Sequence, residues 1–337
     1  MDKDTIKRLI IEYQQFVANI TLIEREIHLS HQLNYVFVGL RRAGKSYLMY
    51  QQIQSLLNDG HQPEEILYFN FEDDRLVNLT VEDLDLIKVS YEELYPHKPI
   101  FFLDEIQIVE HWEKFARRLA DQQYRVYITG SNAKMLSAEI ATTLGGRYIV
   151  QNVYPFSFSE FLKASKIEIG PTWYYKNRTE IVRTFSDYFS YGGLPELMLI
   201  ETIEKRQWLS NLFNKIFFGD LITRYSIRND LAMKVLIRKL AESVKQPSSF
   251  NRLTNIVSTT GAKVSTDTII DYLNFLQATW LFFSLENYAS KLVEKISNRK
   301  YYFIDNGLLN LFLIDPVTSL LENICLLYTS PSPRDRG

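Results

Sequence analysis

The first half of the chain alternates short apolar runs with longer amphipathic stretches. These runs are four to six residues long and mainly apolar, as expected for strands, and they occupy residues 35–38, 66–71, 100–103, 125–129 and 148–153. The stretches between them have helical spacing, at residues 45–57, 81–94 and 112–121. Because continuous apolar strands alternate with helices, we expect a parallel sheet covered on both faces. Another amphipathic stretch, residues 4–27, predicts a helix before the first strand.

Beyond residue 156 the pattern becomes helical, with one break at residues 191–195. Helices are predicted at residues 231–244 and 250–259, and Ser265 is the predicted N-cap of a third helix that ends near residue 278. Two strand-like runs follow, at residues 280–285 and 301–304. Helix, helix, turn, helix and β-ribbon is the element order of a winged helix-turn-helix.

A complete G-x-x-x-x-G-K-S motif joins the first predicted strand to the helix that follows it. Glycines let such a loop wrap a phosphate chain, and the helix N-terminus directs N–H groups and a positive dipole at it. We expect Lys45 to reach the β- and γ-phosphates of ATP and Ser46 to place its hydroxyl on Mg²⁺. The residues expected to bind the nucleotide are Gly39, Arg41, Arg42, Ala43, Gly44, Lys45, Ser46 and Tyr47.

Two carboxylates follow the third predicted strand at its carboxyl end, where open α/β sheets bind ligands. Asp104 is expected to hold the Mg²⁺ shell. Glu105 is expected to orient and deprotonate the attacking water. The pair therefore predicts a hydrolytic site together with the phosphate loop.

Further candidates follow the fourth strand and precede the fifth. Thr129-Gly130-Ser131-Asn132 ends the fourth strand with polar groups, and we favour Asn132 or Ser131 as a contact of the γ-phosphate or the attacking water. The same residue types are common in turns, so a purely structural role stays open. Arg147 is a candidate arginine that senses or completes the γ-phosphate site.

Composition and charge narrow the class of protein. The 337 residues are 46% hydrophobic and 23% charged, and 38 basic against 40 acidic residues give a net charge of -2. These are ordinary globular values without a global cationic field. Residues 61–121 nevertheless carry 15 acidic and 6 basic residues, whereas residues 224–300 carry 12 basic and 6 acidic ones. This asymmetry suggests two units with different partners.

Several reaction classes and locations are disfavoured. One cysteine excludes a disulfide framework and a cysteine-based metal cluster, and it fits a reducing cytosol. The five histidines lack metal-ligand spacing. The apolar runs are too short to span a bilayer, and the charged N-terminus is unlike a signal peptide. We therefore expect a cytoplasmic protein.

Further motifs stand in a specific order along the chain. They are Asn70-Phe71-Glu72-Asp73, Leu103-Asp104-Glu105-Ile106-Gln107, Leu144-Gly145-Gly146-Arg147, Tyr154-Pro155-Phe156-Ser157-Phe158, Tyr191-Gly192-Gly193-Leu194-Pro195-Glu196, Asp220-Leu221-Ile222-Thr223-Arg224-Tyr225 and Tyr302-Phe303-Ile304-Asp305-Asn306-Gly307-Leu308. With the phosphate loop, they resemble the bacterial and archaeal AAA-type ATP-binding proteins that join a P-loop domain to a C-terminal domain of unknown function with a nuclease-like fold. The resemblance covers residues 4 to about 324. It implies an α/β parallel-sheet P-loop NTPase (AAA-like) domain, followed by a mostly helical region that contains a winged helix-turn-helix.

The expected organisation has six parts. They are an N-terminal helical segment at 1–30, a P-loop ATPase core at 31–156, a helical linker or lid at 157–230, a winged-helix domain at 231–304, the start of a truncated C-terminal domain at 305–324 and a non-native tail at 325–337. Two prolines in Ser330-Pro331-Ser332-Pro333 prevent a helix from continuing there. Cys325 to Asp335 also resemble the translation of a transposase-type sequencing adapter, which is why we expect the tail to be non-native.

These observations predict an ATP-binding, Mg²⁺-dependent ATP-hydrolysing protein that acts as a nucleotide switch with a winged-helix module. Two alternatives stay open. In a P-loop small-molecule kinase, Asp104 or Glu105 would accept the proton of a substrate hydroxyl. In a binding module, the ATP site would only stabilise the fold, and DNA or a protein would be bound through residues 231–304.

Overall fold

The computed structural model describes most of the chain in two units. The described residues are 2–76, 78–130, 142–167, 170, 172, 177–244, 246, 248–286 and 299–313. The first unit is Met1–Phe156 with Ala278–Trp280, and the second is Ser157–Gln277 with Leu281–Gly337. The expected tail at 325–337 and most of the expected segment at 305–324 lie outside the described residues.

A parallel sheet of five strands forms the centre of the first unit. Its strands are β1 (Asn34–Val38), β2 (Ile66–Asn70), β3 (Ile100–Asp104), β4 (Val126–Gly130) and β5 (Tyr148–Asn152). The spatial order is β2-β3-β4-β1-β5, and every pair of neighbours is parallel. The predicted parallel sheet is confirmed. Because β4 separates β3 from β1, residues that end these three strands meet at one edge.

Helices cover both faces of this sheet. They are α1 (Lys3–Asn19), α2 (Lys45–Asn58), α3 (Val81–Leu94) and α4 (Trp112–Asp121), with 3₁₀ turns at Pro63–Glu65 and Ile106–Ile108. Successive strand residues face opposite sides, so Val36 and Val38 lie in one apolar cluster, with side chains of α1, α3 and α4. Tyr35 and Phe37 lie in the other cluster, against α2. Among the described residues, no helix is long and apolar enough to cross a lipid bilayer.

The first helix is shorter than its sequence pattern indicates. Helix α1 ends at Asn19, and Ile20 has extended dihedral angles, φ -70° and ψ 134°. The prediction of a helix to residue 27 was therefore wrong. The physical reason lies in Arg25, which is buried and donates to the carbonyls of Ala43 and Tyr154. These tertiary contacts favour an extended segment over continued helix.

The second unit is mostly helical in its described part. Its elements are α5 (Phe158–Ala164), α6 (Arg178–Tyr191), a 3₁₀ helix (Pro195–Leu199), α7 (Thr202–Lys215), a π-helix (Ile216–Thr223), α8 (Asp230–Glu242), α9 (Phe250–Thr259), α10 (Thr266–Ala278), β6 (Phe282–Leu285), β7 (Lys300–Phe303) and α11 (Asn306–Asn310). Ser265 accepts a hydrogen bond from the Thr268 amide at 3.1 Å, which confirms the predicted N-cap of α10. Strands β6 and β7 pair in antiparallel orientation. The three helices and the ribbon occur in the predicted order, and their assignment as a winged helix stays a prediction.

Candidate functional site

The loop between β1 and α2 contains two glycines in positions that a side chain would disturb. An added Cβ at Gly39 would lie 2.1 Å from the Val153 carbonyl oxygen. The Val153 amide donates to the Val38 carbonyl at 2.7 Å, so the two backbones are held at this spacing. Gly44 has φ 92°, in the left-handed region that favours glycine, and it immediately precedes α2. The chain thus enters a helix N-terminus through a tight turn, as a phosphate-binding loop requires.

The ammonium group of Lys45 lies buried inside this loop. Its Nζ donates to the carbonyls of Gly39 and Leu40 at 3.3 and 3.2 Å. Glu105 Oε1 lies 3.9 Å from the same Nζ. Burial lowers the pKa of Lys45, and the nearby carboxylates of Glu105 and Asp104 oppose that effect. The cation therefore sits between the loop and the two acids that follow β3.

The Asp104 carboxylate is fully enclosed and hydrogen-bonded on both oxygens. Its Oδ2 accepts from the Tyr68 hydroxyl at 2.7 Å, and its Oδ1 accepts from the Thr129 hydroxyl. Burial raises the pKa of Asp104, while hydrogen bonds from Thr129, Tyr68 and Ser46 lower it. The Ser46 hydroxyl and the Asp104 carboxylate, the two expected Mg²⁺ ligands, are thus direct neighbours.

Glu105 is held at its backbone and at its side chain. Its amide donates to the Thr129 hydroxyl oxygen at 2.8 Å, and its φ of 57° is left-handed. Its carboxylate accepts from the Gln107 amide. Thr129 therefore contacts both acids, because its hydroxyl accepts from Glu105 and donates to Asp104. This arrangement turns the Glu105 side chain towards Lys45 at the carboxyl edge of the sheet.

The donor set fits a magnesium–nucleotide complex. Mg²⁺ prefers oxygen ligands and is usually bound by one or two carboxylates together with substrate phosphates and water. Ser46 and Asp104 supply such oxygens beside the loop. Within the described ranges there is no group of three or more His, Cys, Asp or Glu residues able to hold a metal ion alone. The residues present therefore fit an ion that is shared with phosphate oxygens.

The other residues expected to bind the nucleotide lie in the same loop and in the first turn of α2. Arg41 Nη1 lies 3.7 Å from Glu72 Oε1, and Arg42 has a left-handed φ of 64°. The Ala43 carbonyl accepts from Arg25 at 3.0 Å. Tyr47, in the first turn of α2, keeps 54% of its surface exposed. Asn132 and Ser131 lie outside the described residues, so their predicted contact with the γ-phosphate stays a prediction.

Arg147 lies near the amino-terminal ends of the strands, and the phosphate loop lies at their carboxyl ends. It directly precedes β5, whose first residue, Tyr148, pairs with Asn34 at the start of β1. The phosphate loop follows the other end of β1, about 13 Å away at a rise of about 3.3 Å per strand residue. The Arg147 side chain donates to Asp121, the last residue of α4. Arg147 therefore lies away from the phosphate loop of its own chain, and its predicted role in sensing or completing the γ-phosphate site stays a prediction.

Three contributors were missed by the sequence analysis. Tyr68 and Arg25 were not singled out, and Thr129 was quoted in a motif whose later residues were preferred. A tyrosine inside an apolar strand has no sequence signal that distinguishes it from core. Thr129 does have one, because it is a polar residue at the carboxyl end of a predicted strand, where open α/β sheets bind ligands.

The fold and the site together define the class of protein. A phosphate loop after β1, two acids after β3 and the strand order β2-β3-β4-β1-β5 are those of an AAA-type P-loop NTPase domain. A family model described as an AAA domain matches residues 32–162. A second model, described as a domain of unknown function (DUF8612), matches residues 182–317.

Two relatives match along most of the chain. MJ1544, an uncharacterized protein of Methanocaldococcus jannaschii, is 33% identical over 331 residues, which cover 96% of this chain and 73% of the relative. An uncharacterized protein of Haemophilus influenzae is 32% identical over 300 residues, which cover 85% of this chain and 72% of that protein. The chain belongs to this family of AAA-domain proteins, as the sequence motifs indicated. A nuclease-like fold of the C-terminal domain stays a prediction.

A solved structure shows the same fold. The Walker-type ATPase PABY2304 of Pyrococcus abyssi matches with a TM-score of 0.51, covering 92% of this chain and 95% of its own. Its sequence identity is 11%, so the likeness concerns the fold alone. The AAA-type P-loop NTPase class therefore rests on the sequence family and on the fold.

Proposed function

We propose that this protein binds ATP with Mg²⁺ and hydrolyses it, and that the nucleotide state acts as a switch. One observation carries the proposal. Lys45 and Ser46, from the loop after β1, meet Asp104 and Glu105, from the end of β3. The Lys45 ammonium is 3.9 Å from the Glu105 carboxylate, and the Ser46 hydroxyl is a hydrogen-bond donor to Asp104.

Each residue has a defined role in this proposal. Lys45 exchanges its contacts with the loop carbonyls for the β- and γ-phosphate oxygens and neutralises their charge. Glu105 orients the attacking water and accepts its proton, so that in-line attack needs no further base. Bound Mg²⁺, held by Ser46 and Asp104, supplies charge stabilisation for the transferred phosphoryl group. Catalysis consists mainly of positioning and electrostatic stabilisation.

Phosphate release from ATP, with Mg²⁺ and without any acceptor, tests this proposal. We expect turnover by the wild-type protein and loss of nucleotide binding in Lys45→Ala, because the buried cation that faces the phosphates is removed. Lys114→Ala, which removes an exposed lysine from α4, is the matched control and should retain wild-type turnover. Formation of ADP without free phosphate, and only when a hydroxyl substrate is added, would instead favour the small-molecule kinase, because the phosphoryl group would then be transferred to that hydroxyl.

We further propose that residues 231–304 form a winged-helix module that receives the nucleotide signal. Support comes from the order of α8, α9, α10 and the β6–β7 ribbon. The helix that would enter a DNA groove is α10, and its exposed positions include Asp267, Asp271 and Asn274. Carboxylates on that face repel the phosphate backbone, so the module is better suited to a protein surface than to major-groove reading.

Duplex DNA binding by the full chain separates these two uses of the module. We expect no fluorescence-anisotropy change with a labelled 30-base-pair duplex at 200 mM salt, and at most weak, salt-sensitive binding at 50 mM. Charge neutralisation by Asp267→Asn with Asp271→Asn should strengthen any such binding if α10 approaches the duplex. Tight wild-type binding at 200 mM salt would contradict the proposed protein-binding role.

A further inference from the structure

Two buried tyrosine hydroxyls lead from α2 to the Asp104 carboxylate. The Tyr68 hydroxyl lies 2.7 Å from Asp104 Oδ2, and the Tyr50 hydroxyl lies 3.1 Å from that of Tyr68. An ionised carboxylate only accepts hydrogen bonds, so Tyr68 donates to Asp104 and its oxygen accepts from Tyr50. Both rings are buried, with 1% of Tyr68 and 8% of Tyr50 exposed.

A neighbouring tyrosine shows that packing alone does not explain these hydroxyls. Tyr127, on β4, is fully buried in the same apolar cluster as Tyr68 and stacks on Phe102 at 4.5 Å. Its hydroxyl has no hydrogen-bond partner among the described residues. A tyrosine ring can therefore pack in this core without a hydrogen-bond partner for its hydroxyl. Burying a hydroxyl costs free energy unless it is paired, and at Tyr68 the partner is the carboxylate at the centre of the site.

The Tyr68 hydroxyl contacts the Asp104 carboxylate and not the phosphate loop. The hydroxyls of Tyr68 and Thr129 hold opposite oxygens of Asp104 and so fix its rotation beside Ser46. The loop itself is shaped by Gly39, Gly44 and the Lys45 contacts, none of which involves Tyr68. Changing the Tyr68 hydroxyl should therefore affect the metal ion more than the nucleotide.

We propose that Tyr68, supported by Tyr50, is a positioning residue that presents Asp104 for Mg²⁺ in the nucleotide complex. This inference rests on the proposed ATP site and assigns a metal-specific task to a residue outside the phosphate loop and the acid pair. The hydroxyl touches neither phosphate nor water in this role. It keeps one carboxylate oxygen occupied and the group in a single rotation, so that the ion is bound without reorganisation of the site.

The test is an Mg²⁺ titration of nucleotide binding, with a fluorescent ATP analogue and the full chain. Tyr68→Phe keeps the ring and removes only the hydroxyl, and we expect the Mg²⁺ concentration at half-maximal binding to rise about tenfold, as for a lost hydrogen bond to a charged group. Binding in EDTA should equal that of the wild type. Tyr127→Phe, the matched control, should leave the titration unchanged, and Tyr50→Phe should raise the midpoint by about threefold.

The outcomes separate this inference from the proposed function. If nucleotide binding by the wild type does not respond to Mg²⁺, the proposed Mg²⁺–ATP site is wrong. If the wild type responds and Tyr68→Phe has the same midpoint, the role of Tyr68 is overturned. Loss of binding in EDTA by folded Tyr68→Phe would also overturn it, because the hydroxyl would then support the loop. Should Tyr68→Phe fail to fold, a wild-type midpoint in Tyr50→Phe would overturn the proposal.

Discussion

The Asp305 carboxylate gives a quantitative prediction about the second unit. Asp305 is 4% exposed, and its hydrogen-bond donors in the described part of the chain are the amides of Gly193, Gly307 and Leu308, at 2.8, 2.9 and 3.3 Å. An added Cβ at Gly192 would lie 2.0 Å from its Oδ1, so a side chain there would push the carboxylate away. Asp305 thereby joins the turn after α6 to the N-terminus of α11.

Two opposing effects act on the pKa of this carboxyl group. Burial disfavours the charged form, whereas the three N–H donors favour it. Burial is the larger effect and raises the pKa of Asp305 from an ordinary 3.8 to about 6. The folded state therefore binds this proton more tightly than the unfolded state does. The stabilisation that comes from binding this proton is fully present below about pH 4 and is lost as the pH rises through about 6. The shift of about two pKa units corresponds to about 3 kcal/mol.

Asp305→Asn removes the titration and keeps the shape. Hydrogen exchange of peptides that span residues 186–197 and 303–311 measures the local free energy of opening. Between pH 4 and pH 7, we expect the protection of the wild type relative to Asp305→Asn to fall about a hundredfold. Asp187→Asn, which removes a carboxylate from α6 but none of the three amide contacts, should show no such trend. A relative protection that rises with pH would refute the reasoning, because the N–H donors would then outweigh burial.

Two substitutions in the first unit test the loop and its link to the acids. Gly39→Ala places a Cβ against the Val153 carbonyl, so the affinity for nucleotide should fall at least about tenfold. The control Gly219→Ala, with nothing within 4 Å of its added Cβ, should bind nucleotide with wild-type affinity. Equal affinities of the two variants in a binding titration would contradict the loop geometry. Thr129→Val removes the hydroxyl that contacts Asp104 and Glu105, so ATP turnover should fall about tenfold to a hundredfold and recover in Thr129→Ser. Unchanged phosphate release by Thr129→Val would refute the role of this hydroxyl in holding the two acids.

The local patterns of the sequence were sufficient to predict most of the fold of the first unit. Each strand of the sheet is mainly apolar in sequence, and the loop and both acids lie within a few residues of a strand end. Such features depend on neighbours in sequence, so periodicity and motif spacing reveal them. The parallel sheet and the placement of Lys45, Ser46, Asp104 and Glu105 at one edge followed from these signals.

What the sequence did not reveal depends on contacts between distant segments. Tyr68 meets Asp104 only because β2 pairs with β3 in the register that places Asn70 opposite Asp104. The contact of Arg147 with Asp121 was not predicted, because it joins two segments that are 26 residues apart in sequence. The end of α1 was misjudged because Arg25, which is polar and unremarkable in sequence, is buried against two backbone carbonyls. Register and tertiary hydrogen bonds of this kind carry no local signal.

The central claim is that Glu105 activates water for ATP hydrolysis, and one comparison tests it most directly. Glu105→Gln keeps the size of the side chain and a hydrogen-bonding oxygen but removes the base. With Mg²⁺–ATP binding measured on the same samples, we predict affinity within about twofold of the wild type and phosphate release slower by about a hundredfold or more. Glu110→Gln, an exposed acid beyond the same strand, should match the wild type in both. Phosphate release by Glu105→Gln at the wild-type rate would contradict the account.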